Sequence, residues 1–178
     1  MYPYKHVLFV CHANTSRSVM AEHLLVRLLS DHAVPSDAVL VTSGGIAPYA
    51  RDGSLVSLDT RLVLRDVDIH LEPDAVARDL KRGHRHLLDH ADLIITMTEE
   101  QVRMVLAQMG DAEKIDKPVV TLRDFAKPAT SCSVSFGLRT TADATILFVS
   151  RISSARASLL PVRASFTFWN TESVWSRA

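Results

Sequence analysis

Residues 5–27 read KHVLFVCHANTSRSVMAEHLLVR, in which three kinds of sequence follow one another. The apolar run at residues 7–10 is typical of a strand buried on both faces of a parallel sheet. A polar segment follows at once, at residues 11–18. An apolar stripe at helical spacing comes next, formed by Met20, Leu24, Leu25 and Leu28. Glu22 falls outside that stripe. The sequence therefore predicts a strand, a tight loop and a helix.

The loop has the composition of an anion-binding site. Its backbone N–H groups can form a concave nest, and the helix behind it adds the positive end of its dipole. A cysteine thiol held in such a field ionises more easily than a free cysteine, whose pKa is about 8.5. Arg17 lies six positions after Cys11 and can bring a planar guanidinium over the sulfur, where it grips two phosphate oxygens. The hydroxyl of Ser18 can donate a hydrogen bond to the thiolate.

This pattern predicts a phosphate-binding loop with a nucleophile at its floor. The candidate catalytic residues are Cys11 and Arg17. The candidate phosphate-binding residues are His12, Ala13, Asn14, Thr15, Ser16 and Ser18. A cysteine and an arginine at this spacing also recur by chance, and a buried cysteine after a strand is commonly a small core residue. The strand before the loop and the helix after it favour the catalytic interpretation.

The segment VLFVCHANTSRSVMAEHLL resembles the signature of the low-molecular-weight protein phosphatases, small cysteine phosphatases to which some arsenate reductases are related. Two further segments carry the resemblance: residues 42–45, TSGG, and residues 90–101, HADLIITMTEEQ, followed by KPVVTLRDFA. The similarity covers residues 5 to about 127. It implies a phosphotyrosine or phosphoarginine phosphatase whose cysteine, Cys11, forms a phosphocysteine that water then hydrolyses.

Several residues take expected roles from the resemblance. Arg17 and the backbone N–H groups of the loop would stabilise the equatorial oxygens of the phosphoryl group, without a metal or cofactor. Ser43 would support the loop through a hydrogen bond to Asn14, although a serine that only caps a strand end is an alternative. Ala13 stands where the family has glycine, and we expect the backbone there to favour a positive φ. The family's histidine near residue 75 is not matched cleanly.

The rest of the chain alternates strand and helix. Further strands are predicted at residues 38–42, 92–97 and 118–122, with two glycines ending the first of them. A helix is predicted at residues 54–67, capped by Ser54, with an apolar stripe formed by Leu55, Leu58, Leu62 and Val63. Residues 72–90 are predicted to form two short helices. The expected fold class is α/β, a three-layer sandwich with a four-stranded parallel doubly wound sheet and the ligand at its carboxyl edge.

Length and composition indicate the number of domains, the classes of partner and the compartment that we expect. The 178 residues are enough for one domain, and 20 basic residues balance 20 acidic ones, so neither nucleic acid nor a membrane surface is an expected partner. Two cysteines are too few for a disulfide framework, and no signal or membrane-spanning run occurs. We expect a cytoplasmic protein that acts on a phosphorylated protein or a small aryl phosphate. Three histidines in one polar segment, His84, His86 and His90, have no accompanying cysteine, so no metal site is predicted.

The chain changes character near residue 128. We predict a phosphatase-like domain at residues 1–128 and a divergent tail at residues 129–178, with five arginines, no lysine and two acids. The family has an Asp-Pro loop carrying the general acid and then a long helix, and neither occurs here. Our hypothesis is that the tail comes from a shifted reading frame or from a locus that diverges without constraint, or that it is poorly ordered. Asp124 and Asp143 are the candidate acids, and weak turnover is expected because a positioned acid contributes about 10²–10⁴-fold.

Substrate and activity have alternatives. Thr15 occupies a position where tyrosine-directed members usually carry a bulkier aliphatic residue, and threonine there resembles the protein-arginine phosphatases. An equally good interpretation is that Thr15 is a small loop residue without a role in substrate choice. Arsenate reduction needs further cysteines, and only Cys132 is available. The missing acid loop also leaves open a non-catalytic module that binds phosphate or phosphoproteins.

Overall fold

A computed structural model describes residues 3–110 and 116–126. Within them the strands are β1 (His6–Cys11), β2 (Leu40–Gly45), β3 (Leu93–Thr96) and β4 (Val119–Thr121). The helices are α1 (Arg17–Asp31), α2 (Leu58–Arg65), α3 (His86–His90), α4 (Glu99–Met109) and α5 (Leu122–Ala126). The strands form one parallel sheet in the order β2-β1-β3-β4. The predicted α/β fold with a four-stranded parallel doubly wound sheet is confirmed.

Strand β1 is buried on both faces, as its unbroken apolar run predicts. Val7 and Phe9 pack on one face of the sheet with apolar residues of α1 and with Phe125 of α5. Leu8 and Val10 pack on the opposite face, with residues of α3 and α4. Because successive side chains of a strand point to opposite faces, one short apolar run supplies the centre of both cores. The helices on the two faces make the three layers.

The strand order creates a crevice at the carboxyl end of β1. The chain runs from β1 outward to β2 and later returns to β3 on the other side of β1. Cys11 pairs with Gly45 of β2, and Val10 pairs with Thr96 of β3. The chain leaves these neighbouring ends in opposite directions, which is where doubly wound folds bind ligands. Cys11 therefore ends at the predicted edge of the sheet.

Helix α1 buries a different set of side chains from the predicted stripe. Met20 and Leu25 are buried, whereas Leu24 and Leu28 are only partly so. Glu22, which the pattern placed outside the stripe, is 8% exposed. The correction has a physical reason, since the first turns of α1 pack against the loop and the segment around Arg78 as well as against the sheet.

In the structure, the helix predicted at residues 54–67 is shorter, and the apolar stripe predicted for it largely faces solvent instead of the core. Helix α2 begins at Leu58, and its cap is Ser57 rather than Ser54, with the Ser57 hydroxyl accepting from Thr60 N at 3.3 Å. Leu58 is 69% exposed and Leu55, before the helix, is 66% exposed, so the predicted apolar stripe largely faces solvent. The buried residues are Thr60 and Leu64. The polar first turn is held by the loop after β1, and this contact decides the orientation.

The segment at residues 72–90 contains one helix, α3, instead of the two predicted. Its first part is held by hydrogen bonds to neighbouring segments. The Arg61 side chain donates to the carbonyl oxygens of Glu72, Pro73 and Ala75 at 2.7, 3.1 and 3.1 Å. Further along, Gly45 N donates to the carbonyl of Arg78 at 2.8 Å, next to the carboxyl end of β2. These bonds fix an extended path beside the site.

Strand β2 continues through the two glycines that were expected to end it. A Cβ on Gly45 would lie 2.8 Å from the carbonyl carbon of Ala13 and 2.9 Å from the oxygen of His12. Gly45 thus lets β2 pass close to the loop, as the sequence predicts. Gly44 serves another contact, because a Cβ there would collide with the side chain of Leu80.

The predicted tail, with Asp143 and Cys132, lies outside the described residues. In the part of the chain that is described, no helix is both long and apolar enough to span a membrane.

Candidate active site

The loop after β1 turns at Asn14. Asn14 has φ of 60°, in the left-handed region that asparagine tolerates better than most residues. The positive φ expected at Ala13 is wrong, since Ala13 is absent from the positive-φ residues of the described chain. The Cβ of Ala13 therefore causes no backbone strain of this kind. The sharp turn instead belongs to a residue whose side chain can also be held by hydrogen bonds.

The thiol of Cys11 lies at the floor of the loop. Cys11 is 3% exposed, and its sulfur accepts hydrogen bonds from Asn14 N at 3.3 Å and from Ser18 Oγ at 3.0 Å. Hydrogen bonds that are donated to a sulfur favour its anionic form. The structure therefore brings Ser18 to the position that the sequence predicts, with its hydroxyl on the Cys11 sulfur.

Other backbone N–H groups of the loop have no acceptor among the described residues. Across residues 3–110 and 116–126, this holds for the N–H groups of His12, Ala13, Thr15, Ser16 and Arg17. The carbonyls of the loop, in contrast, are bound to its neighbours. Cys11 O accepts from Ile46 N at 3.0 Å, His12 O from Ala47 N at 3.0 Å and Thr15 O from Ser57 N at 3.0 Å. Donors left available beside bound carbonyls make the loop suited to an anion.

A buried chain of hydrogen bonds supports the loop from behind. Asn14 Nδ2 donates to Ser18 Oγ at 2.9 Å and to Ser43 Oγ at 2.7 Å. Asn14, Ser18 and Ser43 are all buried. The structure thus contains the hydrogen bond between Ser43 and Asn14 that the resemblance implies.

Arg17 is the first residue of α1 and is half-buried. In the described chain its guanidinium makes no hydrogen bond or ion pair. The first turn of α1 also contains no acidic residue. A cation and the amino end of a helix therefore follow Cys11 by six positions, and no carboxylate of the described residues is bound to that cation. This arrangement attracts an anion.

Comparison with known proteins agrees with this geometry. The family pattern "Low molecular weight phosphotyrosine protein phosphatase" matches residues 6–135. The chain belongs to this family. It is 33% identical over 123 residues to a protein-arginine-phosphatase from Geobacillus stearothermophilus, covering 69% of this chain and 72% of the relative. Membership makes the chain a cysteine-based protein phosphatase.

Two solved structures agree as well. A low molecular weight protein tyrosine phosphatase from Bacillus subtilis superposes with a TM-score of 0.57 at 28% identity, over 68% of this chain and 72% of that one. An arginine phosphatase variant, with serine for cysteine and a phosphorylated active-site serine, gives a TM-score of 0.58 at 25% identity. The matched regions are 82% of this chain and 86% of the variant.

Glu22 and Arg78 contact the residues that support the loop, and sequence reasoning missed both of them. Ser43 Oγ donates to Glu22 Oε2 at 2.5 Å, and Arg78 Nη1 lies 3.3 Å from Glu22 Oε1. Arg78 N also donates to Asn14 Oδ1 at 2.9 Å. One signal in the sequence could have found Glu22: it follows Ser18 by four positions and so shares its face of α1. Arg78 carries no comparable local signal.

The opening of the phosphatase loop carries a histidine with two neighbours. His12 Nε2 lies 3.7 Å from Glu100 Oε2 at the start of α4, and the His12 ring is edge-on to Tyr49 with centroids 6.2 Å apart. Glu100 and Tyr49 are exposed. The opening therefore combines one acid and one aromatic ring around the second residue of the loop.

Ionisable groups around the site are perturbed by burial and by their partners. Burial lowers the pKa of His23, with the charge of Glu22 opposing this shift and that of Arg78 adding to it. Burial alone would raise the pKa of Asp79, but hydrogen bonds from Lys81 outweigh it and hold that pKa below its usual value. Lys81 Nζ also donates to Ala47 O at 2.5 Å. These bonds fasten the segment after β2 to the segment that carries Arg78.

Of the two candidate general acids, Asp124 and Asp143, only Asp124 lies within the described residues. The Asp124 carboxylate accepts from Thr121 Oγ1 at 2.6 Å, and Asp124 N donates to the same hydroxyl at 3.1 Å. These reciprocal bonds fix the start of α5 in the manner of a helix cap. Asp143 lies outside the described residues. As for metal ligands, the described residues contain no cluster of three or more histidine, cysteine or acidic side chains able to hold an ion.

Proposed function

We propose that the chain removes phosphoryl groups from phosphorylated protein side chains by way of a phosphocysteine at Cys11. The observation that carries this proposal is the sulfur at the loop floor, with two hydrogen-bond donors on it and unused N–H groups around it. In the first step the thiolate forms an S–P bond while the bond from phosphorus to the leaving group breaks. The leaving group takes a proton. Water then attacks phosphorus and releases inorganic phosphate and the thiolate.

The loop supplies the positive charge that phosphoryl transfer needs. Its N–H groups and the guanidinium of Arg17 would bind the equatorial oxygens, whose charge grows as the transition state forms. Ser18, which donates to the sulfur, would stabilise the thiolate as a leaving group when water attacks. We therefore propose Cys11, Arg17 and Ser18 as the working residues, with no metal or cofactor required. The arginine-phosphatase variant that carries a phosphorylated serine in place of its cysteine supports Cys11 as the residue that is phosphorylated.

Phosphoarginine is the substrate that we favour over phosphotyrosine. Thr15 is the loop residue that resembles the arginine-directed branch, and the curated relative at 33% identity is named a protein-arginine-phosphatase. The Thr15 carbonyl accepts from Ser57 N and from Thr60 Oγ1, at 3.0 and 3.4 Å. These bonds hold Thr15 in a defined position in the loop. The tyrosine phosphatase from Bacillus subtilis keeps phosphotyrosine as the second candidate.

Turnover is proposed to depend strongly on the leaving group. An acidic phenol leaves without much help, whereas an alcohol or a guanidine needs a proton in the transition state. Asp124 is the candidate donor within the described chain, and its carboxylate is bound to Thr121. A phosphatase without a well-placed acid should cleave p-nitrophenyl phosphate far faster than an alkyl phosphate. Equal rates on the two compounds would contradict this part of the proposal.

The first experiment compares hydrolysis of p-nitrophenyl phosphate by the wild type, Cys11→Ser and Cys132→Ser. We expect vanadate-sensitive hydrolysis that Cys11→Ser abolishes and Cys132→Ser retains. A wild type that binds vanadate without turnover would instead support a binding module. Release of phosphate from matched phosphoarginine and phosphotyrosine peptides then compares the two substrates, and faster release from phosphotyrosine would overturn the preference.

A further inference from the structure

The buried carboxylate of Glu22 sits at the far end of the hydrogen-bond chain that reaches Cys11. It is 8% exposed, lies on α1 one turn after Ser18, and accepts the Ser43 hydroxyl. A carboxylate without partners would be costly to bury, and Arg78 supplies the countercharge. Arg78 Nη1 lies 3.3 and 3.4 Å from the two Glu22 oxygens and 3.3 Å from the carbonyl of Ser43.

The Glu22 carboxylate, paired with the Arg78 guanidinium, sets the direction of the whole chain. A carboxylate only accepts, so the single proton of the Ser43 hydroxyl must go to Glu22. Ser43 Oγ then has only lone pairs to offer Asn14, whose amide nitrogen donates to it. Ser18 Oγ likewise accepts from the Asn14 amide, which leaves the Ser18 proton for the sulfur of Cys11.

Arg78 acts on this chain at a second point, through its backbone. Its N–H donates to Asn14 Oδ1 at 2.9 Å, which prevents the amide from turning its oxygen toward the serines. The position of that N–H is itself fixed, because Gly45 N binds the Arg78 carbonyl and Leu80 N binds the Gly45 carbonyl, at 2.8 and 3.0 Å. The same residue therefore neutralises Glu22 and orients the Asn14 amide.

We propose that Glu22 and Arg78 are positioning residues, which orient the chain from Ser43 through Asn14 to Ser18 so that a hydroxyl proton is always directed at the Cys11 sulfur. This inference rests on the proposed function, since it gives the pair a role in supporting the nucleophile. Neither residue touches the phosphoryl group. Loss of the pair leaves the loop residues in place and weakens the hydrogen bond on the thiolate.

The test measures the reactivity of the Cys11 thiolate directly. All proteins carry Cys132→Ser, so that iodoacetamide reports on Cys11 alone. The rate of alkylation is measured from about pH 5 to about pH 9, a range that spans ordinary and lowered thiol titration. The test variants are Glu22→Gln and Arg78→Met. The matched controls are Arg27→Met and Asp31→Asn, which break an exposed ion pair of 2.9 Å on the same helix.

We expect the rate of Cys11 alkylation near pH 6 to fall about fivefold in Glu22→Gln and in Arg78→Met, equivalent to the loss of about one hydrogen bond. The controls should stay within about twofold of the parent, the scatter expected for surface changes. Arg78→Lys keeps the charge and the backbone N–H, so it should recover most of the loss. A purely structural role would lower the urea midpoint of unfolding and leave the alkylation profile unchanged, which would overturn the proposal.

The remaining outcomes are also decisive. If Glu22→Gln shows no cooperative unfolding transition, the comparison of Arg78→Met with Arg78→Lys decides, and a folded Arg78→Met with the parent's profile overturns the proposal. Hydrolysis of p-nitrophenyl phosphate is measured alongside. A parent protein without hydrolysis refutes the proposed function, while the alkylation profiles still test the positioning role.

Discussion

The floor and the rim of the site differ in the polarity and in the burial of their side chains. The floor consists of buried polar side chains that are hydrogen-bonded to one another: Cys11, Asn14, Ser18, Glu22 and Ser43. The rim carries large apolar side chains that are open to solvent: Tyr49, Leu55, Leu58 and Val76. Segments of the rim contact other residues of the loop beside the floor, through Ser57 to Thr15 and through Tyr49 to His12. A change in the floor must therefore disturb several bonds at once, whereas a change in the rim disturbs few.

The largest effect is expected beside the floor, from Arg17→Lys at the start of α1. An ammonium keeps the charge but cannot grip two phosphoryl oxygens with a planar fork. We expect kcat/KM for p-nitrophenyl phosphate to fall about 10²–10³-fold, as for loss of one oxyanion donor. Stopped assays on purified protein measure it, with Arg27→Lys on the exposed face of α1 as the control. A loss below about fivefold would mean that Arg17 only contributes charge.

A smaller effect is expected where the loop after β1 meets β2. Gly45→Ala places a methyl group 2.8 Å from a backbone carbon of Ala13, and backbone cannot move aside as a side chain can. We expect the free energy of unfolding to fall by about 1–3 kcal/mol, typical of overpacking. Gly83→Ala is the control, because its methyl would meet only the end of the Asp52 side chain. Urea titrations that show equal losses in the two variants would contradict the close approach.

Acid should weaken the fold through a residue remote from the floor. His6, at the start of β1, is buried with Nε2 2.8 Å from Thr42 Oγ1. Burial lowers its pKa, as do His90 and Lys117, against the raising influence of a hydrogen bond to the His90 backbone and of Asp92. The unfolded chain, with an ordinary histidine pKa of about 6.5, then binds the proton first, so stability falls as pH drops below that value.

The measurement is the urea midpoint near pH 7.5 and near pH 5.5, on either side of the ordinary histidine pKa. The wild type should lose more stability between these values than His6→Gln. The comparison of the two proteins isolates His6 from His23, whose pKa is also lowered by burial. An identical loss in both proteins would show that His6 does not contribute.

The smallest effect is expected at the rim. Leu58 is 69% exposed, so Leu58→Ser should change the free energy of unfolding by less than about 0.5 kcal/mol and leave hydrolysis of p-nitrophenyl phosphate unaltered. The matched variant is Leu64→Ala, which empties a buried position of the same helix and should cost about 2–5 kcal/mol. Thermal unfolding of the two variants compares them. A large destabilisation by Leu58→Ser would contradict the open rim.

The sequence predicts the contiguous segment from β1 to α1 better than the contacts that join it to distant parts of the chain, for a physical reason. Strand β1, the loop and α1 are contiguous, so their apolar period and the spacing of Cys11, Arg17 and Ser18 are local signals. Burial of Glu22 depends on Arg78, 56 positions away, and no local pattern encodes that ion pair. The orientation of α2 was missed for a related reason, since the Thr15 carbonyl, and not the leucine stripe, holds its first turn.

The side chain of Asn14 joins parts of the chain that are far apart in sequence. Its contacts to Ser43 and to the backbone of Arg78 span 29 and 64 positions. The loop can adopt its left-handed turn with these bonds only after the segments that carry Ser43 and Arg78 have folded against it. A nascent or partly unfolded chain therefore has no ordered anion-binding loop. We therefore expect oxyanions to bind only the native population. By mass action, vanadate at 100 times its dissociation constant should raise the unfolding free energy by about 2.7 kcal/mol and act as a folding ligand.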